Sequence, residues 1–442
     1  MNAASIPTTS TAPSLVRDLT FRDGVAIVVG TVIGSGVFLV PGSIARQIPS
    51  MGLVMLVWIA GGLLTVFGAL SLAELGPMYP GAGGLYVYLR AAYGRPVGFL
   101  YGWGLLSLIH TGSMATLAVG FGLYASQLVP MALPVQKLVA ISAILLMTVL
   151  NAFGLRAGKL AQNAVTICKV GGIGLMVTLL LSSHRRPPMD VPAPGPPAAL
   201  AIGAALVAVL WAYEGWHAVS FTSAEFRNVS RDFPRSLWWG AVALAAIYLS
   251  ANVAYYHVLS PAELQGTDRP AALAVQAAYG GPATALVTAL IVVSILGALN
   301  GMALTGPRVY FAMARDGLFF SSFGKLNGAR VPLVALVVQG VWAACLTLAG
   351  TFQELFTYVV FTAWIFYGLS VLAVIVLRFR EPDLPRPFKV PAYPLIPILF
   401  VAAALLITGL SIANGPLHAL YGIGSILIGL PIYWLRFRTE VG

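Results

Sequence analysis

The chain has 442 residues, of which 59% are hydrophobic and only 9% are charged, whereas about 25% of the residues of a soluble protein are charged. This composition excludes a soluble globular enzyme and indicates a polytopic membrane protein. The net charge of +11 does not indicate a nucleic-acid-binding protein, because the basic residues are spread over short loops between apolar runs.

The N-terminal residues 1–16 are rich in Ser, Thr, Ala and Pro, and we expect them to form a disordered cytoplasmic tail. No apolar stretch typical of a cleaved signal peptide precedes Phe21. Residues 17–442 are predicted to form a single transmembrane domain, because no loop is long enough to hold another. The two cysteines, Cys168 and Cys345, lie in apolar runs and are interpreted as small buried side chains.

Apolar segments of about 20 residues are long enough to cross a bilayer as helices. The sequence therefore predicts an all-α polytopic membrane protein with twelve transmembrane helices. The predicted spans are residues 22–48, 51–78, 97–129, 134–154, 158–182, 198–226, 235–259, 283–314, 332–350, 354–378, 393–413 and 416–436.

The Lys and Arg residues predict the orientation of these spans. With the N-terminus inside, 19 of the 25 basic residues fall on the cytoplasmic side and five on the other side, while Lys169 lies within a span. Basic loops remain on the cytoplasmic side of a membrane. Both termini are therefore predicted to be cytoplasmic, in a bacterial-type inner membrane.

The first predicted span is interrupted by Gly34-Ser35-Gly36. Unwinding at this point would free backbone N–H groups at the start of a half-helix, where the positive end of the helix dipole favours a carboxylate. The alternative is a face of small residues for close helix packing. A second interrupted span favours the interpretation as a binding site.

That second interruption is Glu214-Gly215, within Trp211–Trp216 of the sixth span. A carboxylate near the bilayer centre costs roughly 2.5–3.5 kcal/mol on insertion scales, and such residues are kept where a helix opens into a cavity. Freed carbonyls can accept an ammonium group, and Glu214 adds a negative charge. Trp211 and Trp216 can close over a bound side chain; interface anchoring is the alternative for tryptophans.

The positions of the two breaks predict the architecture. If the chain repeats every five helices, the second unit is inverted relative to the first. We therefore expect a 5+5 inverted repeat that meets at broken helices 1 and 6, followed by two further helices.

Lys169 lies a third to halfway along the fifth span, where a lone ammonium needs a partner or unwound carbonyls. Its functional interpretation is a built-in cation that occupies the place of a sodium ion, with Ser294 and Asn300 as polar neighbours. Snorkelling to the nearer surface is the alternative. No zinc-ligand spacing, nucleotide loop or nucleophile elbow occurs, so we predict no catalytic residue, metal or cofactor, and no enzyme.

Four runs of residues resemble the amino acid–polyamine–organocation superfamily, and specifically its L-type amino acid transporter branch. They are Val29–Phe38, Trp211–Trp216, Gly297–Gly301 followed by Arg308-Val309-Tyr310 and Ala314–Gly317, and Arg386–Pro391. The resemblance extends from Asp18 to about Phe437.

This resemblance implies an amino acid permease of the leucine-transporter fold that works by alternating access, usually as an exchanger. By similarity, Trp211 is an aromatic gate, Lys169 matches a fifth-helix lysine that replaces a sodium site, and Ser294 matches a polar position near it. The substrate's carboxylate and amine would meet the two unwound stretches, at Ile33, Gly34, Ser35, Gly36, Trp211, Tyr213, Glu214 and Gly215.

Two features depart from the family pattern. Animal members tether to a glycoprotein through a cysteine between spans three and four, but residues 129–136 contain no cysteine, so no disulfide-linked heavy subunit is expected. Many members have a small residue in place of Glu214, which leaves the substrate range open. The leading hypothesis is a sodium-independent amino acid exchanger; the alternatives are a proton-coupled symporter that uses Glu214 or a histidine, a cationic amino acid or polyamine transporter, and an amino acid sensor.

Overall fold

The computed structural model describes residues 17–48, 50–187 and 199–438. These residues form helices and no strand, apart from an isolated β-bridge between Leu19 and Phe226. The tail predicted at residues 1–16 lies outside the described residues.

The first half of the chain contains the first five predicted spans. Its helices are α1 (Phe21–Val32), α2 (Gly36–Gln47), α3 (Met51–Met78), α4 (Leu85–Tyr93), α5 (Arg95–Gly104), α6 (His110–Leu128), α7 (Leu133–Ala152) and α8 (Leu155–Ser182). A π-helical turn at Leu105–Ile109 joins α5 to α6, so that the two form one span. Helices α1 and α2 are bent by 41° at their break and together form the first span.

The second half begins with the other broken span. Helix α9 (Ala199–Ala212) is followed by a 3₁₀ helix, Trp216–Glu225, and not by a second α-helical half. The remaining α-helices are α10 (Val229–Val258), α11 (Pro261–Gln265), α12 (Pro270–Tyr279), α13 (Gly281–Thr305), α14 (Pro307–Arg315), α15 (Leu333–Ala349), α16 (Phe352–Arg380), α17 (Leu395–Asn414), α18 (Pro416–Leu427) and α19 (Gly429–Arg436).

Each of the twelve predicted spans is helical over most of its length. Among the described residues, ten helical segments are long and apolar enough to cross a membrane, and the bent pair of α1 and α2 adds an eleventh. Helix α15 is also apolar but has only 17 residues, which is at the lower limit for a span.

The outer surface of the helix bundle is apolar, as expected for a protein surrounded by lipid. Leu160 and Ile167 on α8, for example, are 69% and 76% exposed. The prediction that Cys168 and Cys345 are buried was wrong, because both lie exposed on outward-facing parts of α8 and α15. A thiol is apolar enough to face lipid without a partner.

The packing of the helices agrees with an inverted repeat. Helix α3 of the second span packs along α10 of the seventh, and α6 of the third span packs along α13 of the eighth. The broken spans meet at the centre, where α2 contacts α9 and α1 contacts the 3₁₀ helix. Corresponding helices of the two halves therefore pack in pairs around the two breaks, as two inverted repeats require.

Candidate functional site

The break in the first span places Ile33, Gly34 and Ser35 between α1 and α2. The first N–H groups of α2 have no partner within their own helix. Close packing requires the glycines here. A Cβ on Gly36 would lie 2.5 Å from the Cα of Ala212, so this glycine lets the start of α2 approach the end of α9.

The break in the sixth span places Tyr213, Glu214 and Gly215 between α9 and the 3₁₀ helix. Gly215 has a φ of +108°, which lies in the left-handed region that L side chains rarely adopt. The chain can therefore turn within the membrane, and Glu214 lies on the turn. The two unwound stretches lie beside each other, because a Cβ on Gly215 would be 3.0 Å from Cγ2 of Thr31.

A small central cavity lies between the two breaks. Its lining consists of Thr31, Val32, Ser35, Gly36, Leu117, Trp211, Glu214 and Met302. Within the part of the chain that the structure describes, Oγ1 of Thr31, Oγ of Ser35 and Nε1 of Trp211 are buried without a hydrogen-bond partner. Such atoms cost free energy unless they find a partner. The cavity has a volume of only about 10 Å³, so a ligand larger than water enters only if the lining moves apart.

The structure therefore brings four of the eight predicted substrate-binding residues, Ser35, Gly36, Trp211 and Glu214, to the lining of the central cavity. The others lie around it.

Ile33 turns its carbonyl oxygen toward Lys169, while Gly34 is packed against Leu117 and Ala298 and Gly215 against Thr31 and Met302.

Tyr213 and Trp216 lie outside the lining of the central cavity. The ring of Tyr213 packs against Trp58 and Tyr248, at centroid distances of 5.9 Å and 4.9 Å. Trp216, which we expected to close over a bound side chain, packs instead against Phe400, with the ring centroids 6.3 Å apart.

Trp211 lies between the central cavity, which it lines, and Phe356, which lines a larger vestibule. The vestibule has a volume of about 450 Å³ and lies among the loops opposite the termini. Phe352 and Phe356 line it, and Trp211 stacks on Phe356 with a centroid distance of 6.1 Å and an interplanar angle of 21°. The other side of Trp211 contributes to the lining of the central cavity.

Lys169 is buried behind the first break. Its Nζ donates to the carbonyl oxygens of Gly30 and Ile33, at 2.7 Å each, and Oγ of Ser294 donates to the same carbonyl of Ile33 at 3.3 Å. The ammonium therefore binds carbonyls that the break leaves without helical partners. Asn300, also expected beside Lys169, instead donates to Gln162 and accepts from Asn151.

Glu214 has partners that the sequence did not indicate. The hydroxyl of Tyr367 on α16 donates to Oε1 of Glu214 at 2.5 Å. The same hydroxyl lies 3.3 Å from Nε2 of His217. Tyr367 follows Glu214 by 153 residues and lies in an apolar run, so no local pattern marked it.

Ion pairs join distant parts of the chain on the face of the bundle where α1 begins. Nε of Arg308 donates to Oε1 of Glu225 at 2.8 Å, and both side chains are buried. Arg227 and Lys159 both contact Asp18, just before α1. Hydrogen bonds from Arg227 and then Lys159 hold the pKa of Asp18 below its usual range. These contacts tie the start of α1 to α8 and to the loop after the 3₁₀ helix.

An all-α bundle with two broken spans that meet at a central cavity is the architecture of many secondary transporters. The sequence model of the amino acid permease family matches residues 19–434. The chain belongs to this family and is a multi-pass membrane transporter of amino acids.

Individual relatives cover nearly the whole chain. The b(0,+)-type amino acid transporter 1 of Homo sapiens is 33% identical over 97% of this chain and 90% of its own length. The serine/threonine exchanger SteT of Bacillus subtilis (strain 168) is 32% identical over 95% of this chain and 97% of its own. The large neutral amino acids transporter small subunit 2 of Homo sapiens is 30% identical over 96% and 81%.

Proposed function

We propose that the protein is a sodium-independent amino acid exchanger that works by alternating access. The observation that carries this proposal is the pair of 2.7 Å hydrogen bonds from Lys169 to the carbonyls of Gly30 and Ile33. A sodium ion at these carbonyls would lie beside a fixed positive charge and be repelled. The ammonium thus takes the place of a coupling ion.

The unpaired polar atoms of the central cavity support exchange over net uptake. An empty carrier would have to switch with Thr31, Ser35 and Trp211 still lacking hydrogen-bond partners, whereas a bound amino acid supplies them. The conformational change of alternating access is therefore faster when an amino acid is bound. A bacterial relative is itself named a serine/threonine exchanger.

We propose that the substrate carboxylate binds at Ser35 and the start of α2, where N–H groups and the helix dipole converge. The carboxylate site would include Ile33 and Gly34, and the substrate ammonium would bind the carbonyls freed between Trp211 and Gly215. The side chain of the substrate would extend toward Glu214. We therefore propose that the substrate class includes neutral and cationic amino acids. Trp211 would act as the gate toward the vestibule.

We further propose that the chain lies in an inner membrane with both termini in the cytoplasm. We also propose that it transports its substrate without a chemical step. One relative is named a small subunit. Residues 129–136 of this chain contain no cysteine, so we propose that it functions without a disulfide-linked partner.

Uptake by the purified protein in proteoliposomes tests this function. A panel of radiolabelled amino acids is offered to vesicles with and without internal amino acid, in sodium or in choline buffer. We expect uptake only with internal amino acid, at equal initial rates in the two buffers. Steep sodium dependence would contradict the role of Lys169. Uptake into vesicles without internal amino acid would contradict exchange. Binding without uptake would indicate an amino acid sensor.

A further inference from the structure

Glu214, Tyr367 and His217 form a buried cluster of ionisable side chains at the edge of the central cavity, which we call the proton cluster. Tyr367 and His217 are each 1% exposed and Glu214 is 5% exposed. The phenol oxygen lies between the other two groups, 2.5 Å from Oε1 of Glu214 and 3.3 Å from Nε2 of His217. Nδ1 of His217 is buried and has no hydrogen-bond partner among the described residues.

This geometry permits two arrangements of hydrogen bonds. The Tyr367 hydroxyl donates to an ionised Glu214 while it accepts from an N–H at Nε2 of His217. Alternatively, it accepts from a protonated Glu214 and donates to an unprotonated Nε2, because a phenol is both donor and acceptor. One added proton can therefore reside on Glu214 or on His217 without breaking the chain of hydrogen bonds.

Among the described residues, the neighbouring helices do not supply a fixed positive charge to balance the carboxylate of Glu214. Within the described residues, the only ion pair of Glu214 is with His217, at 3.9 Å. Tyr101 on α5 is near enough to Glu214 to interact with it electrostatically, and the same holds for His110 on α6 and His217. Nε2 of His110 lies 2.8 Å from the carbonyl oxygen of Met302.

The buried cations near the site are already engaged. Lys169 is held by backbone carbonyls behind the first break. Arg308 is paired with Glu225. The charge of Glu214 must therefore be balanced by a proton or by the substrate.

We propose that the proton cluster binds one proton with a neutral substrate and none with a cationic substrate. This inference rests on the proposed exchange function and deepens it. The three side chains are buried, so an unbalanced carboxylate is costly there. A substrate ammonium or guanidinium group replaces the proton, and the total charge of cluster and substrate stays the same. When a cationic amino acid enters in exchange for a neutral one, one proton leaves with the neutral substrate.

The test is an exchange assay with purified full-length protein in proteoliposomes. The lumen contains pyranine and a neutral amino acid that the uptake panel identifies as exchanged, and valinomycin with equal potassium clamps the membrane potential. External lysine should raise the luminal pH in step with its uptake, whereas an external neutral amino acid should not. Lysine uptake without a pH change, or neutral exchange without any lysine uptake, would overturn the proposal. No exchange of any kind would instead refute the proposed function.

Variants separate the cluster from general structural effects. Glu214→Gln should remove the pH rise and lower the ratio of lysine to neutral uptake by at least about tenfold. Tyr367→Phe and His217→Gln should shift the pH dependence of this ratio. Tyr256→Phe is the matched control, because its hydroxyl is also buried but has no partner in the described structure, and its pH dependence should match that of the unaltered protein.

All variants must elute as monodisperse protein before they are compared. An unshifted pH profile in both Tyr367→Phe and His217→Gln would show that the three groups do not share a proton.

Discussion

At the scale of single residues, the membrane makes buried charge the most informative feature of the chain. Lys169 and Glu214 both lie where an isolated charge is costly, and each lies at one of the two helix breaks. The two side chains find different hydrogen-bond partners. Lys169 is held by backbone carbonyls that unwinding has freed, whereas Glu214 relies on a phenol from another helix. The hydrogen bonds of Lys169 to the backbone are fixed, whereas the partner of Glu214 can change with the substrate.

Replacing Lys169 with alanine should affect transport more than membrane insertion. The carbonyls of Gly30 and Ile33 would lose their shared donor, and the broken span would no longer be held against α8. We expect the exchange rate in proteoliposomes to fall by about tenfold or more, a loss of roughly 1.5–3 kcal/mol for a charged hydrogen bond. The adjacent Cys168→Ala is the control, because Cys168 is exposed on the outer surface. Exchange at the normal rate in Lys169→Ala would refute this role.

Trp211 provides a second test at this scale. Trp211→Ala would remove the indole that stacks on Phe356 between the vestibule and the central cavity. We expect the KM for the preferred amino acid to rise by about thirtyfold, since a buried aromatic side chain at a binding site contributes about 2 kcal/mol. Trp239→Ala is the control, because Trp239 is 55% exposed on the outer surface. An unchanged KM would mean that Trp211 is not the gate.

At the scale of elements, the central cavity depends on how closely the start of α2 and the end of α9 approach each other. Helix α2 begins at Gly36 and α9 ends at Ala212, and the two ends touch because Gly36 has no side chain. This approach places a half-helix N-terminus beside the turn that carries Glu214. The 3₁₀ helix that follows the turn positions His217 three residues after Glu214, in reach of Tyr367.

Gly36→Ala should separate these two ends. The added Cβ would lie 2.5 Å from the Cα of Ala212, which is too close, and overpacking of this kind typically costs 1–3 kcal/mol. We expect loss of uptake and a lower melting temperature in detergent. Gly171→Ala is the matched control, because nothing lies within 4 Å of its added Cβ. Normal transport by Gly36→Ala would show that close approach of the two ends is dispensable.

At the scale of the whole molecule, contacts between distant parts of the chain lie on both sides of the central cavity. The buried pair of Arg308 and Glu225 joins the eighth span to the end of the sixth. The stack of Trp211 on Phe356 joins the sixth to the tenth. Alternating access would require these two groups of contacts to open in turn, because opening both together would leave a continuous pore.

The distribution of charge predicts the orientation of the whole molecule, and labelling can test it. In a variant without Cys168 and Cys345, a cysteine is introduced at Ala132 or at Lys325, both exposed in loops. A membrane-impermeant maleimide should label Ala132→Cys in intact cells and Lys325→Cys only after permeabilisation, since basic loops remain in the cytoplasm. The reverse pattern would place the termini outside.

The sequence determined the properties that depend on local composition and backbone chemistry. Apolar runs of span length predicted the helices, and glycines or a carboxylate within such runs predicted both breaks, because these residues weaken a helix wherever they occur. The pairing of a basic residue with unwound carbonyls was predictable as well, since Lys169 had to find acceptors. These conclusions need no knowledge of which helices are neighbours.

The tertiary structure alone decided which side chains face the central cavity. Tyr213 and Trp216 lie within the same unwound segment as Glu214, yet they pack away from the cavity. Tyr367 reaches Glu214 from a mostly apolar stretch of α16. In a membrane, the lipid-facing and protein-facing sides of a helix are both apolar, so hydropathy does not distinguish them. Only the packing of distant helices fixes these orientations.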